Sequence, residues 1–202
     1  MDEHGLIEWQ VAEQAMAGED ESGDAPLVAP FPGGVLVAAL DGLGHGPEAV
    51  RASRLAVRIL SEEPGASPYD LVQRCHQGLR DTRGVVVSLA SFDGRADTLT
   101  WIGVGNVEAR LVRAEAEAGP ESLLLRPGIV GYKQLPALRV STLAVQPGDL
   151  LVMATDGIGS MFIGSIDGSL SPRAMADRIL KRHVKPNDDA LVLVARYRGG
   201  GQ

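Results

Sequence analysis

Ile7, Trp9 and Val11 alternate with Glu8, Gln10 and Ala12 near the start of the chain. A two-residue period predicts a strand with one apolar face. The acidic, glycine-containing stretch 18–24 ends that pattern, and Pro26, Pro30 and Pro32 predict an irregular segment after it. Residues 33–40 form a nearly continuous apolar run, as in a strand buried on both faces. The run stops abruptly at Asp41-Gly42-Leu43-Gly44-His45-Gly46. Pro47 suits the first turn of a helix, and Ala49, Val50, Leu55, Ala56, Val57, Ile59 and Leu60 continue one to about Glu63. Pro64-Gly65 closes it. Ser67-Pro68-Tyr69-Asp70 has the form of a capping box with Asp in place of Glu. It opens a second helix whose apolar stripe is Leu71, Val72, Cys75 and Leu79.

A strand-rich half follows. Residues 85–92 and 98–104 flank Asp93-Gly94 and predict a hairpin. Val107, Ala109 and Leu111 alternate with Glu108, Arg110 and Val112, and residues 114–122 make a polar connection. Residues 123–125, 139–145 and 150–154 are further strand segments, punctuated by Pro127-Gly128, Gly131 and Pro147-Gly148-Asp149. Ser171-Pro172 opens a third helix carrying Ala174, Met175, Ile179 and Leu180, and residues 190–197 form the last strand. Strands cluster as hairpins instead of alternating with single helices, which disfavours a doubly wound parallel sheet. The expected class is α+β: two packed antiparallel sheets with helix pairs outside.

The length of 202 residues favours one domain, expected over 1–198, with 199–202 as a frayed tail. A hydrophobic fraction of 45% and a charged fraction of 22% exclude disorder for the bulk of the chain. The formal net charge of −7 argues against nucleic acid or an anionic membrane surface as partner. Aromatic residues at 4% argue against a stacking platform for single strands. The single cysteine, Cys75, excludes a disulfide framework within the chain and falls on a helix stripe, so it is expected in the core. His76 beside it cannot face it on a helix. The acidic start, Met1-Asp2-Glu3-His4, shows no signal peptide, and no apolar run is long enough to span a bilayer. A cytoplasmic monomer is expected. Trp9 and Trp101 are expected in the core, and His4 and His183 at the surface.

Aspartates gather at strand ends: Asp24 before one apolar run, Asp41 at its close, Asp156 after residues 150–154, and Asp188-Asp189 before the last strand. Strand ends lie in a layer, so these carboxylates can converge from distant positions. Oxygen-rich clusters suit hard divalent cations, and two such ions can activate water and bind a phosphoryl oxygen. Each Asp-Gly taken singly reads as a turn. The glycine loop 42–46 lacks the Lys-Ser/Thr of a P-loop. No serine stands in a nucleophile elbow.

In order, Ser22-Gly23-Asp24, then 37–46 (VAALDGLGHG), then 148–158 (GDLLVMATDGI), then 188–194 (DDALVLV) resemble the metal-dependent protein phosphatases. This is the PPM, or protein phosphatase 2C-like, family in its SpoIIE-type bacterial branch. The resemblance covers almost the whole chain. The small size, Gly103-Val104-Gly105-Asn106 and residues 127–131 look most like the RsbX subgroup. The resemblance implies an αββα sandwich with two Mn²⁺ or Mg²⁺ ions at one end. By position, Asp41 would bridge the ions and Gly42 would offer its carbonyl. Asp24 and Asp156 would be ligands, and Asp188 the last one, with Asp189 as the alternative. Asp41 and Asp156 would carry catalysis, with His45 as a possible acid, a partner of a ligand, or a loop-helix cap. The phosphate-holding Arg of eukaryotic members has no counterpart between Met1 and Val50, and Leu43 stands where those members carry His. The short segment 162–169 implies an open site that accepts a large protein.

The implied activity is hydrolysis of phosphoserine or phosphothreonine on STAS-domain proteins of a stressosome-like complex. Two alternatives stand beside it: action on a phosphorylated anti-sigma-factor antagonist, and a non-catalytic phosphoprotein-binding module of the same fold.

Overall fold

The computed structural model describes residues 5–115 and 119–200. His4, the residues 116–118 of the expected polar connection, and positions 201–202 of the expected tail lie outside the described residues. Alternation along one strand organises the fold. In β3 (Gly34–Gly42), Val35, Val37 and Ala39 face one way and Leu36, Ala38 and Leu40 the other, and all six are buried. The first set meets a second sheet and the second set meets helices, so the strand is apolar on both faces.

Sheet order combines short hairpins, β2 with β3 and β4 with β5, with pairings between strands distant in the chain. β2 (Asp24–Phe31), β3, β4 (Val85–Asp93), β5 (Thr98–Val104) and β8 (Ser141–Ala144) form one antiparallel sheet in the order β2-β3-β4-β5-β8. β1 (Ile7–Gln14), β6 (Glu108–Val112), β7 (Glu121–Ser122), β9 (Leu150–Ala154) and β10 (Ala190–Tyr197) form the other, in the order β1-β10-β9-β6-β7. Between them lie Phe92, Trp101, Leu151, Met153, Leu193 and Tyr197, with Phe92 stacked on Tyr197 at 5.7 Å. Burying a side chain such as Leu151 or Leu193 contributes about 1.5–3 kcal/mol.

Helices cover both outer faces. α1 (Pro47–Glu62) and α2 (Pro68–Gly78) lay Ala52, Ala56, Leu60, Leu71 and Val72 on Leu36, Ala38 and Leu40. Ser67 caps α2 as the sequence predicts: its hydroxyl accepts the Asp70 amide at 3.1 Å and donates to the Asp70 carboxylate at 2.7 Å. On the opposite face α3 (Pro172–His183) buries Met175, Ala176 and Ile179 against Val152, Val192 and Val194. A short 3-10 turn at Ser160–Ser165 accompanies α3, in place of the expected second helix of a pair. The two-sheet α+β architecture with helices outside is as expected.

Local expectations fail where an edge relaxes a rule. The proline-rich segment is a regular strand, β2, at a sheet edge. Pro26 and Pro30 are an even number of residues apart, so both missing N–H groups point the same way along an edge, where a ladder bond is not needed. Trp9 is 41% exposed on the edge strand β1, whereas Trp101 is buried as expected. The strand expected at 123–125 lies at Glu121–Ser122, and that expected at 139–145 narrows to Ser141–Ala144. His183 is half-buried, its Nε2 2.7 Å from the Ser165 hydroxyl, and so holds the 3-10 turn to α3. Among the described residues no helix is long and apolar enough to cross a membrane.

Candidate metal centre

The antiparallel register puts Asp24, the first residue of β2, directly opposite Asp41 near the end of β3. The antiparallel pair β9 and β10 of the other sheet, joined through the 3-10 turn and α3, carries Asp156 just beyond β9 and Asp188 and Asp189 just before β10. All five sequence-predicted carboxylates therefore act on one another through the interior. Burial first, and then the Asp41 charge, push the Asp24 carboxyl up to about 8, while the neighbouring Thr155 hydroxyl opposes the rise. Burial, and then Asp156 and Asp188, push Asp41 up to about 7. Asp188 is raised as well, by partial burial and then by Asp156, against the Asp189 amide and Lys185.

The two members of the Asp188–Asp189 pair have different jobs. Asp189 is 3% exposed, and its two oxygens accept the backbone amides of Met16 at 2.8 Å and Gly23 at 2.9 Å. It ties the 16–23 loop, and with it Asp24, to the second sheet. Asp188 has one oxygen accepting the Asp189 amide at 3.0 Å, and its charge acts on Asp41 more strongly than that of Asp189. Both Asp189 oxygens are thus engaged by amides, whereas Asp188 keeps one oxygen without a hydrogen bond among the described residues.

The Asp-Gly glycines serve close packing of backbone. A Cβ on Gly157 would lie 1.8 Å from the Asp189 carbonyl oxygen, and one on Gly42 would lie 2.3 Å from that of Ala49. Each glycine lets the segment bearing its aspartate press onto the neighbouring element.

Sequence reasoning missed two residues. Asn106, in the loop after β5, donates its side-chain amide to Asp156 Oδ2 at 2.7 Å. Lys185 donates Nζ to the Asp156 carbonyl at 2.5 Å. Gly105-Asn106 after an apolar strand was the available signal for the first; a lone Lys in a loop carried none. His45 is not brought to the aspartates. Its side chain is 63% exposed, with Nδ1 3.0 Å from Glu19 Oε1.

The donor set fits divalent cations. None of Asp24, Asp41, Asp156 and Asp188 makes a salt bridge to Lys or Arg among the described residues. Asp24 Oδ2 is buried with no hydrogen-bond partner. Carboxylates crowded without cations must take up protons or bind metal. Among the described residues no three such side chains already converge tightly enough to enclose one ion. Like charges held at neighbouring strand ends repel, which opposes that convergence.

The family model for Stage II sporulation protein E, SpoIIE, matches residues 32–198. A chain solved under the heading of the bacterial stressosome, described as a modular system adapted to control secondary messenger signaling, is 32% identical. It aligns over 94% of this chain and 99% of that one, with a TM-score of 0.85. RsbX in complex with magnesium is 20% identical over 98% of this chain and 97% of that one, with a TM-score of 0.84. The PP2C phosphatase domain of SpoIIE from Bacillus subtilis, with a fragment of its regulatory domain, is 20% identical over 97% of this chain and 64% of that one, with a TM-score of 0.77. No curated protein matches the chain significantly.

Proposed function

The chain belongs to the SpoIIE family and has the fold of the PPM phosphatases, and from that premise we propose that it is a metal-dependent protein serine/threonine phosphatase. The observation that carries the reading is the set of buried or half-buried aspartates, Asp24, Asp41, Asp156 and Asp188, gathered at one end of the sandwich with none of them salt-bridged to Lys or Arg among the described residues.

Those four carboxylates, with the Gly42 carbonyl, would hold two Mn²⁺ or Mg²⁺ ions. Bound ions of this kind supply a Lewis acid for the phosphoryl group and bring the pKa of water to about 7. The protein's share of the work is positioning. Register holds Asp24 beside Asp41. Asn106 fixes the rotation of the Asp156 carboxylate, and Lys185 fixes the backbone that carries it. Asp189 clamps the 16–23 loop so that Asp24 cannot swing away. His45, exposed and paired with Glu19, would steady the 42–46 loop.

We take residues 1–198 as one phosphatase domain of a cytoplasmic monomer. Its substrates would be phosphorylated STAS-domain proteins of a stressosome-like complex. The likeness to a chain described under the stressosome at 32% identity supports that choice over an anti-sigma-factor antagonist. The retained acidic set argues against a non-catalytic binding module. The test is phosphate release from a phosphothreonine-bearing STAS-domain protein. Release should need Mn²⁺ or Mg²⁺, stop with chelator, and be lost in Asp156→Asn with the fold kept. Undiminished release by that variant would refute the ligand assignment.

A further inference from the structure

Arg51, Arg54 and Arg58 recur on the exposed side of α1, opposite the face that α1 buries on the sheet. Spacings of three and four residues put them on one stripe about 10 Å long. They line a 720 Å³ groove whose floor is Pro47, Val50 and Leu55. Glu21 is the acid lining the groove, and it pairs with Arg54 at 3.0 Å. Glu48 and Glu62 stand on the same helix, yet neither forms an ion pair with Arg51 or Arg58. A chain of net charge −7 thus keeps a basic stripe over a partly apolar floor.

The groove is continuous with the candidate metal centre. Arg54 and Glu21 also line an adjoining 440 Å³ cleft that reaches Asp24 and has Glu13 and Asp20 as further acids in its lining. The acidic part of a bound chain would therefore stay on the α1 stripe, and the residues next to it would run on toward the aspartates.

We propose that this stripe docks an acidic segment of the phosphoprotein substrate, next to the phosphorylated residue; the proposal rests on the phosphatase reading above. The chemistry called for is two or more Asp or Glu side chains against Arg51 and Arg58, with an apolar residue on Leu55. Opposite charges on a stripe beside the active centre raise the encounter rate and select the partner. They also offset the repulsion between an acidic chain and an acidic substrate. Nucleic acid is disfavoured as occupant because the stripe is short and the rest of the chain is acidic.

Fluorescence anisotropy tests docking without turnover. The probes are labelled phosphothreonine peptides carrying four glutamates on either side of the phosphoresidue, or four alanines instead. The glutamate peptide should bind about tenfold more tightly at low salt, in metal-loaded and in metal-free protein alike. In Arg51→Glu/Arg58→Glu that preference should vanish, while Arg51→Lys/Arg58→Lys should keep it. Exposed pairs are individually weak, and two of them together reach that tenfold change, about 1.4 kcal/mol. Hydrolysis of p-nitrophenyl phosphate should be unchanged in both variants. Equal binding of the two peptides, a preference that survives the double glutamate change, or tighter binding of duplex DNA than of the acidic peptide would overturn the docking site. A chain that binds the acidic peptide but hydrolyses neither substrate would overturn the phosphatase reading and leave the docking surface standing.

Discussion

Removing divalent cations should make the fold lose stability as pH rises from 6 to 8, and Asp24 should account for most of the loss. Asp24 is 6% exposed, with its carboxyl raised to about 8, and Asp41 beside it is raised to about 7. In the unfolded chain both return to near 3.9. Between those limits the folded chain binds more protons than the unfolded one, so stability falls as pH increases. Each pH unit over which the folded chain holds one extra proton costs about 1.4 kcal/mol, which gives a loss of about 2 kcal/mol from Asp24 and about 1 kcal/mol from Asp41 over this window. The two groups interact and titrate as a pair, so the combined loss is about 3 kcal/mol, or on the order of 6–12 °C in melting temperature for a domain this size. Buried His76 runs the other way. Its pKa is lowered by burial and then by Arg80, so its penalty disappears as pH rises through about 6.5. Comparing wild type with Asp24→Asn cancels that contribution. Thermal melts in chelator at pH 6, 7 and 8 should show the variant gaining on wild type as pH rises, and saturating Mn²⁺ should flatten the wild-type curve. Parallel curves for the two proteins would refute the reasoning, because they would mean that no buried carboxyl at position 24 takes up a proton.

Asn106→Ala should reduce turnover or metal affinity about 10–100-fold without moving the metal-free melting temperature by more than a degree or two, as measured by steady-state kinetics and melts. Asp189→Ala leaves the amides of Met16 and Gly23 unsatisfied, one of them buried, and should destabilise the fold by about 3 kcal/mol in urea titration even without metal. Cys75, buried on α2 with its thiol pushed up to about 12, should resist iodoacetamide at pH 8 in the native state and react in urea.

Strongly periodic or continuous apolar segments gave their elements away. The run 33–40 became β3 because burial on both faces leaves no polar alternative, and Ser67 with Pro68 marked the start of α2 by local chemistry alone. The prolines of β2 misled because their cost depends on whether a neighbouring strand needs the N–H, which an edge position removes. Trp9 misled for the same reason: alternation shows that one face is apolar, but not that the sheet edge is covered. The aspartates were legible as strand-end residues. Their pairing was not, because the facing of Asp24 and Asp41 is a matter of register between strands. Which of Asp188 and Asp189 faces the site depended on amides more than 160 residues away, at Met16 and Gly23, and no local pattern encodes that. The Asn106 contact likewise forms only when two sheets meet, and that of Lys185 only when the long connection between β9 and β10 folds back on itself.

Everything proposed for the Asp41 end of the sandwich depends on its binding divalent cations and using them to hydrolyse phosphate monoesters. The most direct measurement is p-nitrophenyl phosphate hydrolysis titrated with Mn²⁺, run in parallel with calorimetric metal stoichiometry, for wild type and Asp41→Asn. Wild type should bind two ions per chain, with activity that rises with their occupancy and is abolished by chelator, and the variant should lose both binding and activity. A wild-type chain that takes up no metal at millimolar Mn²⁺, or an Asp41→Asn chain as active as wild type, would contradict it.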